Sequence, residues 1–487
     1  MSPRELENRA PKPRSAALGA RPSISPVPFD RSEAASGGLW GHAKAVGRPP
    51  VWPLFLIGFW LLCLGLLIGP RVPAVDAGYN CVGNVELWGP FGFELNCDSP
   101  EFMWLARDPE GLINHLNSRQ SRPGLILLAA LIQAPLSLIV APAGEPTPVY
   151  QGLYDPARVA WSFFQDRPAY LAYILLNLAM LLASFHVLRR AIEHRHAARY
   201  GAEAVIIVAT GLLLVANDVT KAFVWSPHTQ MLNILVPVLA VYATRRVIED
   251  RHLDRKFAVA IGLVVGIGMT IYPFFVVIPA CMLPPVLIGM VHTRSARIRR
   301  RDVTSLALLG LLSVAPSALW YAFLRIAADQ IFYAELDLKQ VVWMKDALAD
   351  GIGALLAQWF DYLGQLLEMA APQAIALAAL AGWLALSLVI AVRRRQIALP
   401  QLSAALPMIA IGLYVSFAVL GFYTCVGWIT ERLAYPAIPP LLFAAGATAI
   451  LIARRLPTGA RSLLAGGCLA IAMAQIIYEV AKEGPWS

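Results

Sequence analysis

Long uninterrupted runs of apolar residues most constrain how this chain can fold. Twelve such runs of 14 to 22 residues occur along the sequence. Since crossing a bilayer core takes about 20 helical residues, they predict an all-α polytopic membrane protein with about 11–13 transmembrane helices. The runs are 53–70, 123–142, 168–188, 203–216, 230–244, 258–271, 274–291, 303–324, 373–392, 403–422, 435–452 and 463–479.

The composition excludes the main soluble classes. Of 487 residues, 58% are hydrophobic and 15% are charged, and the mean hydropathy is +0.59. A soluble domain has about 45–50% apolar and about 25% charged residues. A soluble enzyme, a nucleic-acid binder and a secreted disulfide scaffold are therefore excluded. We attribute the net charge of +9 to basic residues at the ends of the apolar runs, a pattern that sets membrane orientation.

Basic connections predict which loops face the cytoplasm. Two apolar runs separate each consecutive pair of these connections, so the topology is consistent from residue 189 onward. The basic connections are 189–199, 245–256, 294–301, 393–395 and 454–461. The loops 71–122, 217–229, 325–371 and 423–434 are then external.

The two ends of the chain complete the predicted organisation. Residues 1–50 contain eight Lys/Arg and four Asp/Glu without apolar periodicity, which predicts a disordered cytoplasmic tail. Residues 51–479 form the transmembrane domain, and 480–487 form a short external tail. Three spans before the 189–199 loop would place that loop outside. An extra half-crossing in 123–142 or 150–166, or a re-entrant hairpin, would resolve this.

The cysteines suggest one disulfide. Cys81 and Cys97 share the external 71–122 loop and are expected to pair there, since an oxidising compartment permits the bond. The other four lie in or beside apolar runs and are expected to be packing residues. These are Cys63, Cys281, Cys425 and Cys468.

The 71–122 loop carries the first group of candidate site residues. Asp98 and Glu101 are spaced to meet on one face of a helical turn, where one carboxylate could act as a general base. Arg119 and Arg122 could bind a phosphate through forked hydrogen bonds. Alternatively, Asp98 is only a helix N-cap and the arginines only anchor the chain in lipid headgroups.

The 217–229 loop joins apolar runs of only 14 and 15 residues. Helices that short are expected to stop below the membrane surface, where irregular backbone lines a wet cavity or is buried in protein. Lys221 and His228 would then lie in that cavity as ligand-binding candidates. The alternative is an ordinary surface loop between longer, tilted helices.

Two later loops complete the candidates. In the 423–434 loop, Arg432 could meet an anionic ligand beside Glu431, or the segment could be an interfacial belt of Trp, Arg and Tyr. The 325–371 loop contains apolar stretches around 355–360, which indicate an amphipathic helix on the membrane surface.

Together these segments resemble the GT-C class of membrane glycosyltransferases, which includes protein O-mannosyltransferases and the aminoarabinose transferase of lipid A. Asp98-Ser99-Pro100-Glu101-Phe102 is similar to the acidic motif of its first external loop. Arg122-Pro123-Gly124 is similar to the basic-Pro opening of its second span, and the stretch from Arg432 to Pro439 is similar to its Arg-aromatic-x-x-Pro-x-x-Pro stretch. The resemblance covers most of the chain in topology but only these three motifs in residues.

The resemblance implies a GT-C-like bundle and an enzyme in the cell membrane, with a cytoplasmic N-terminus. That enzyme would transfer a sugar from a polyprenyl-phosphate donor to a glycan, lipid or protein acceptor on the external face. Asp98 or Glu101 would be the base, and Asp76, nearer the first span, is an alternative position. Lys221, His228 and Glu431 would help to bind substrate, and the arginines at 119, 122 and 432 would stabilise the departing phosphate.

Several points stay open at this stage. Some members of the class use a divalent metal and others use none, so the cofactor is unknown. The expected partners are membrane lipids and the polyprenyl-linked sugar, with no nucleic acid. An O-antigen polymerase or ligase is a second enzymatic interpretation, which the 325–371 loop keeps open. A polytopic transporter is the non-enzymatic one, although Asn177 is the main polar residue within a span.

Overall fold

The computed structural model describes most of the chain after residue 50. The described residues are 51–70, 82–88, 91–114, 117–140, 159, 162–164, 166–193, 201–293, 295–328, 331–332, 340–394, 396 and 403–482. The predicted 1–50 tail, the 480–487 tail beyond residue 482, Asp76 and Cys81 lie outside them, as does most of the 141–166 segment on which the topology of the first third depends.

The chain folds as an all-α polytopic membrane protein, as predicted, and each of the twelve apolar runs falls on a helix. Within the described ranges, seven helices are long and apolar enough to cross a membrane. The helices at the predicted runs are α1 (Val51–Leu67), α4 (Gly124–Leu136), α5 (Arg167–Glu193), α6 (Gly201–Val215), α8 (Leu232–Asp250), α9 (Arg255–Met269), α10 (Val277–His292), α11 (Ala296–Ala327), α14 (Ile375–Arg393), α15 (Leu406–Val426), α17 (Ile438–Ala453) and α18 (Thr458–Ala481).

Polar side chains define where several of these helices start. Asp254 caps α9 by accepting the backbone N–H groups of Lys256 and Phe257 at 3.1 and 3.3 Å. Ser295 occupies the same position in α11. These caps satisfy backbone donors that a helix leaves open at its first turn.

The 71–122 loop contains a small sheet that the apolar runs did not predict. Strands β1 (Val82–Trp88) and β2 (Phe91–Asn96) pair antiparallel, with Val85 opposite Phe93. Helices α2 (Ser99–Arg107) and α3 (Gly111–Asn114) follow. Val85 and Phe93 are buried in the core, so the hairpin holds the chain that leads directly into Asp98.

The 217–229 loop is buried inside the protein. Short α6, only 15 residues long, ends at Val215, and a single short helix α7 (Asp218–Phe223) follows before α8 begins. Asn217 caps α7 by accepting the N–H of Thr220 at 2.9 Å. Burial of this segment agrees with the expectation of irregular backbone within the protein rather than an ordinary surface loop.

The 325–371 loop forms two helices, α12 (Val342–Ala349) and α13 (Ile352–Gln373). The amphipathic stretch expected near 355–360 lies within α13, whose Ile352, Leu356 and Phe360 side chains are exposed. Near the next loop, the short helix α16 (Glu431–Ala434) leads into α17. The 325–371 and 423–434 loops lie at the end of the protein that carries the 71–122 loop.

The long helix α11 packs mainly on α9. A Cβ added at Gly266 would lie 2.1 Å from the carbonyl oxygen of Leu312, so glycine permits this close approach. At the start of α11, Asp302 accepts the N–H of Leu253 at 3.0 Å. At its other end, Trp320 Nε1 donates to the carbonyl of Gln120 at 2.8 Å. One helix therefore connects the basic 294–301 segment with the loop that carries Arg119.

Candidate active site

Asp98 stands at the N-cap position of α2, but its side chain makes no capping hydrogen bond. Instead, its Oδ2 lies 2.7 Å from Arg119 Nη2 and 3.4 Å from His228 Nε2. The local turn is held by Asn96, whose Oδ1 accepts the N–H of Asp98 at 3.0 Å. Asp98 therefore occupies the N-cap position, as the alternative expected. Its carboxylate does not cap the helix and instead contacts residues distant in sequence.

Glu101 lies behind Arg119 and away from the cavity. Its Oε2 accepts from Arg119 Nε at 3.1 Å, and the residue is only 6% exposed. The guanidinium of Arg119 also lies over the ring of Phe102, 4.3 Å from its centroid. Arg119 therefore bridges two carboxylates in a fixed orientation, and Glu101 is placed to hold Arg119 rather than to meet a substrate.

The electrostatics separate the two acids. Burial alone would raise the pKa of Asp98, but the Arg119 charge and the hydrogen bond from His228 hold the pKa well below its usual range. Burial raises the pKa of Glu101, and the neighbouring Arg119 only partly offsets it. Asp98 is therefore ionised throughout the neutral range.

His228 is neutral in this arrangement, and its Nε2 lies 3.4 Å from Asp98 Oδ2. Burial between the rings of Phe102 and Phe223 lowers the pKa of His228 to about 4. Its Nδ1 accepts the N–H of Thr229 at 2.9 Å. The ring proton therefore sits on Nε2, which faces Asp98.

Buried hydrogen bonds join the 217–229 loop to the acidic loop. Ser226 Oγ accepts the N–H of Asn96 at 2.8 Å and lies 2.8 Å from Ser99 Oγ. Asn177, from α5, donates to the carbonyls of Phe223 and Ser226 at 3.0 and 2.9 Å. Asn177, the polar residue noted within a predicted span, therefore holds the backbone that leads into His228.

A cavity of about 620 Å³ opens beside this cluster, a size typical of small-molecule sites. Among the described residues, its ionised lining groups are one carboxylate and three guanidinium groups. The Nε of Arg432 is buried there without a hydrogen-bond partner. The cavity is therefore suited to an anion. The predicted residues that line it are Asp98, Arg119, Arg122, His228 and Arg432, together with Cys97.

Two tyrosine side chains also line the cavity, and no pattern in the sequence indicated them. Tyr272 and Tyr423 line the cavity with their hydroxyl oxygens 3.3 Å apart. Tyr423 donates to Asn233 Oδ1 at 2.7 Å, and Asn233 Nδ2 donates to the carbonyl of Arg432 at 3.1 Å. This chain of contacts fixes the backbone that carries Arg432.

The 325–371 loop contributes one edge of the cavity. Arg122 Nη2 donates to Gln340 Oε1 at 3.4 Å. The next residue, Val341, has φ of 59°, a left-handed conformation that is costly for a β-branched side chain. Trp343 then donates from Nε1 to the carbonyl of Cys425 at 3.0 Å, which holds this segment over the cavity.

Two predicted residues lie elsewhere. Glu431 is exposed and does not line the cavity. Lys221 belongs to a second cluster, where Asp218 pairs with Lys482 and Lys482 Nζ lies 3.1 Å from Glu479 Oε2. Lys221 and Glu431 were expected near the substrate because each shares a loop with a residue that does line the cavity, His228 or Arg432. Each lies on a short helix that places it away from the cavity.

The cysteines follow the expected division where they are described. Cys97 is disulfide-bonded, and its predicted partner Cys81 lies outside the described residues. The four cysteines assigned to packing are free. Cys97 directly precedes Asp98 and lines the same cavity.

The donor set near Asp98 does not fit a divalent metal. Among the described residues, no group of three His, Cys, Asp or Glu side chains could hold one. The guanidinium of Arg119 occupies the cation position at the Asp98 carboxylate. We therefore derive no chemical step through a metal.

No protein-family model, no curated protein and no solved structure matches this chain.

Proposed function

We propose that this protein is a membrane glycosyltransferase that takes a sugar from a polyprenyl-phosphate donor. The observation that carries the proposal is the cavity itself, which combines one ionised carboxylate with an excess of guanidinium groups. The acidic loop, the basic-Pro opening and the late arginine stretch that resemble the GT-C class all contribute to it. A reaction between a hydroxyl and a sugar phosphate needs this pairing of base and anion site.

The two oxygens of Asp98 suggest how the proton moves. Arg119 and His228 both approach Oδ2 of Asp98, so we assign the role of receiving the proton of an acceptor hydroxyl to Oδ1. As the acceptor oxygen bonds to the anomeric carbon, its proton passes to Oδ1. The bond between that carbon and the phosphate oxygen breaks, and its electron pair stays on the phosphate. Because the pKa of Asp98 is low, proton transfer follows bond formation.

The arginines would bind and stabilise the leaving phosphate group. Arg122 and Arg432 line the cavity away from the Asp98–Arg119 pair. They would bind the donor phosphate and stabilise the charge that develops as it leaves. Arg119, already shared by two carboxylates, would mainly orient Asp98.

The proposed location is the cell membrane, with the N-terminus in the cytoplasm and the cavity on the external side. The acceptor would be an envelope glycan, lipid or protein reached from that side. This orientation is supported by the basic connections, which lie at the opposite ends of the helices from the cavity.

An O-antigen polymerase or ligase is a second candidate, favoured by the contribution of Gln340 and Val341 to the cavity. Such an enzyme would also transfer sugars from a lipid carrier but would use a lipid-linked glycan as one substrate. A transporter would use the cavity as a passage and would move its ligand without breaking a bond. The products of one incubation separate these functions.

The test uses purified protein in liposomes with radiolabelled polyprenyl-phosphate mannose, glucose or arabinose and an envelope extract as acceptor. We expect transfer of label to the acceptor, and a fall of about 10²–10⁴-fold for Asp98→Asn, the usual contribution of a general base. Asn retains capping ability, so folding should persist. Asp108→Asn, at the other end of α2 and outside the cavity, is the matched control and should stay active.

Three outcomes would contradict parts of this proposal. Uptake of intact donor without transfer would indicate a transporter. A folded and active Asp98→Asn protein beside an inactive Asp76→Asn protein would move the base to Asp76. Full transfer by both variants would remove the catalytic role from this loop.

A further inference from the structure

Three side chains that line the cavity are polar but carry no charge. They are Gln230, Tyr272 and Tyr423, and we call them the neutral wall. Asn233 lies behind the wall and contacts both Gln230 and Tyr423. Burial raises the pKa of Tyr272, so its hydroxyl stays protonated at neutral pH. The neutral wall therefore offers hydrogen bonds without charge, beside the ionised groups that also line the cavity.

The hydrogen bonds of Asn233 fix which atoms of the wall are donors. The carbonyl of Arg432 can only accept, so the atom of Asn233 that lies 3.1 Å from it is the nitrogen Nδ2. The oxygen Oδ1 then faces Tyr423, whose hydroxyl donates to it at 2.7 Å. Nδ2 also donates to Gln230 Oε1 at 2.5 Å. The two Nε2 protons of Gln230 are then the donors that this side chain can offer to a ligand.

Tyr272 is the adaptable member of the neutral wall. Because Tyr423 donates its one proton to Asn233, its oxygen can only accept from Tyr272. The two hydroxyl oxygens lie 3.3 Å apart, which is longer than the usual O–H···O distance of about 2.7–2.8 Å. Tyr272 can exchange this weak contact for a ligand oxygen, and its own oxygen can also accept. A ligand group that both donates and accepts fits this position, and a sugar hydroxyl is such a group.

Aromatic rings adjoin the neutral wall. Phe274 and Phe422 line the cavity, and their ring centroids lie 4.8 and 5.2 Å from that of Tyr423. A sugar ring carries hydroxyl groups at its edge and C–H groups on its faces, so its site needs polar atoms beside flat apolar surface. The neutral wall and the two phenylalanines provide both.

The charge of the cavity narrows the class of sugar. Among the described lining residues, three guanidinium groups accompany one ionised carboxylate, Asp98, with which Arg119 already pairs. A cationic amino sugar would meet net positive charge. A sugar carboxylate placed against the neutral wall would lose its hydration without gaining a cation there. An uncharged sugar incurs neither cost.

We propose that the neutral wall binds the donor sugar, and that this sugar is uncharged and rich in hydroxyl groups. Gln230 Nε2 and the hydroxyl of Tyr272 bind the sugar hydroxyls, while Arg122 and Arg432 bind the phosphate. This sugar site rests on the proposed function, since the sugar must arrive on a polyprenyl phosphate.

The experiment measures binding of lipids to the purified full-length protein in nanodiscs, without an acceptor. The probes are polyprenyl-phosphate mannose, glucose and arabinose. Polyprenyl methyl phosphate is the reference, because it carries the same single negative charge without a sugar. We expect at least one probe to bind wild-type protein about tenfold or more tightly than the reference, as two or three added hydrogen bonds would produce. Polyprenyl-phosphate aminoarabinose, which carries a cation, should show no such gain.

Two variants test the neutral wall itself, with the gain expressed as the ratio of probe to reference binding. Tyr272→Phe removes one hydroxyl and leaves the bond from Tyr423 to Asn233, so the gain should fall about three- to tenfold. Gln230→Glu keeps an oxygen facing Asn233 but replaces the Nε2 donors by a carboxylate oxygen. Its gain for the neutral sugar should also fall, and its relative binding of the aminoarabinose lipid should rise.

Tyr414→Phe is the matched control. The Tyr414 hydroxyl donates to the carbonyl of Cys281 at 3.2 Å, and this residue of α15 is not among those that line the cavity. The gain should therefore be unchanged in this variant.

The outcomes separate an error in the sugar site from an error in the proposed function. If the reference binds but no sugar improves binding, or if Tyr272→Phe and Gln230→Glu both keep the full gain, the neutral wall does not bind the sugar and the phosphate site stands. Tighter binding of the aminoarabinose lipid than of every neutral probe by wild-type protein would overturn the choice of an uncharged sugar. If neither the reference nor any probe binds, the polyprenyl-phosphate donor is itself wrong, and the sugar site is wrong with it.

Discussion

At the scale of single residues, Arg119 and His228 both approach the same carboxylate oxygen of Asp98. Their nitrogen atoms lie 2.7 and 3.4 Å from its Oδ2. The tautomer of His228 is fixed because its Nδ1 accepts the N–H of Thr229. We therefore expect His228 to act as a positioning residue that helps to orient the carboxylate of Asp98.

This arrangement predicts the behaviour of His228 variants. His228→Gln keeps an N–H donor and should lower transfer by only a few-fold, whereas His228→Phe should lower it about tenfold or more. The pKa of Asp98 is depressed in part by His228, so the Phe variant should lose activity at a higher pH than wild type as the medium is acidified. The measurement is kcat/KM from pH 3 to 8, and the same ratio of Phe-variant to wild-type kcat/KM at every pH would contradict the positioning role.

Glu101 gives a second prediction at this scale. Because it contacts Arg119 and does not line the cavity, Glu101→Gln should reduce transfer less than Asp98→Asn does. Its buried position predicts a lower Tm as the main effect. Transfer and thermal unfolding of the two variants, measured side by side, check this order. A loss equal to that of Asp98→Asn at unchanged Tm would restore a direct catalytic role to Glu101.

At the scale of elements, the apolar runs predicted every spanning helix because each buries its backbone polarity internally and exposes apolar side chains. They could not predict the β1–β2 hairpin, since its strands are short and lie in a loop of mixed polarity. They also gave no role to Tyr272, whose partner Tyr423 is 151 residues away. The order of the three motifs along the sequence pointed to Asp98, Arg122 and Arg432. Which of their neighbours in sequence also line the cavity depends on contacts between distant loops, and the motifs do not contain that information.

The end of α15 gives an element-scale prediction. Gly427 has φ of 77°, and an added Cβ would lie 2.4 Å from the Trp343 ring. Gly427→Ala should therefore loosen the segment before α12 and raise KM for the donor, at a stability cost of about 1 kcal/mol or more. Gly421→Ala, whose Cβ would make an ordinary contact at 3.9 Å, is the matched control.

Limited proteolysis between residues 340 and 351, together with donor KM, measures this effect. Faster cleavage in Gly427→Ala than in Gly421→Ala is the expected result. Equal cleavage rates would mean that Trp343 does not hold the segment.

At the scale of the whole molecule, α11 runs from the basic 294–301 segment to the loop that carries Arg119. Its 32 residues span about 48 Å at 1.5 Å per residue, which exceeds the roughly 30 Å core of a bilayer. The basic 294–301 segment lies at its beginning, and Trp320 near its end contacts the loop of Arg119. We therefore expect the basic segment and the cavity to lie on opposite sides of the membrane.

Site-directed labelling tests this separation. In a Cys425→Ser background, we expect an impermeant maleimide added to intact cells to label Trp428→Cys, at the cavity rim, but not Arg300→Cys. Both positions are exposed, so opening the cells should make the second reactive. The unsubstituted background measures reaction at the remaining cysteines, and labelling of both sites in intact cells would contradict the orientation.

The cavity is assembled from segments that lie far apart along the chain, and this sets when the protein can first become active. The ribosome completes Asp98 and Arg119 long before it reaches Arg432, whose backbone is held by Asn233 from 199 residues earlier. The early part of the chain already contains the partners of Arg119, because Asp98 and Glu101 both precede it in the sequence. This ion-pair cluster can therefore form once residue 119 has been made, long before the cavity around it is complete.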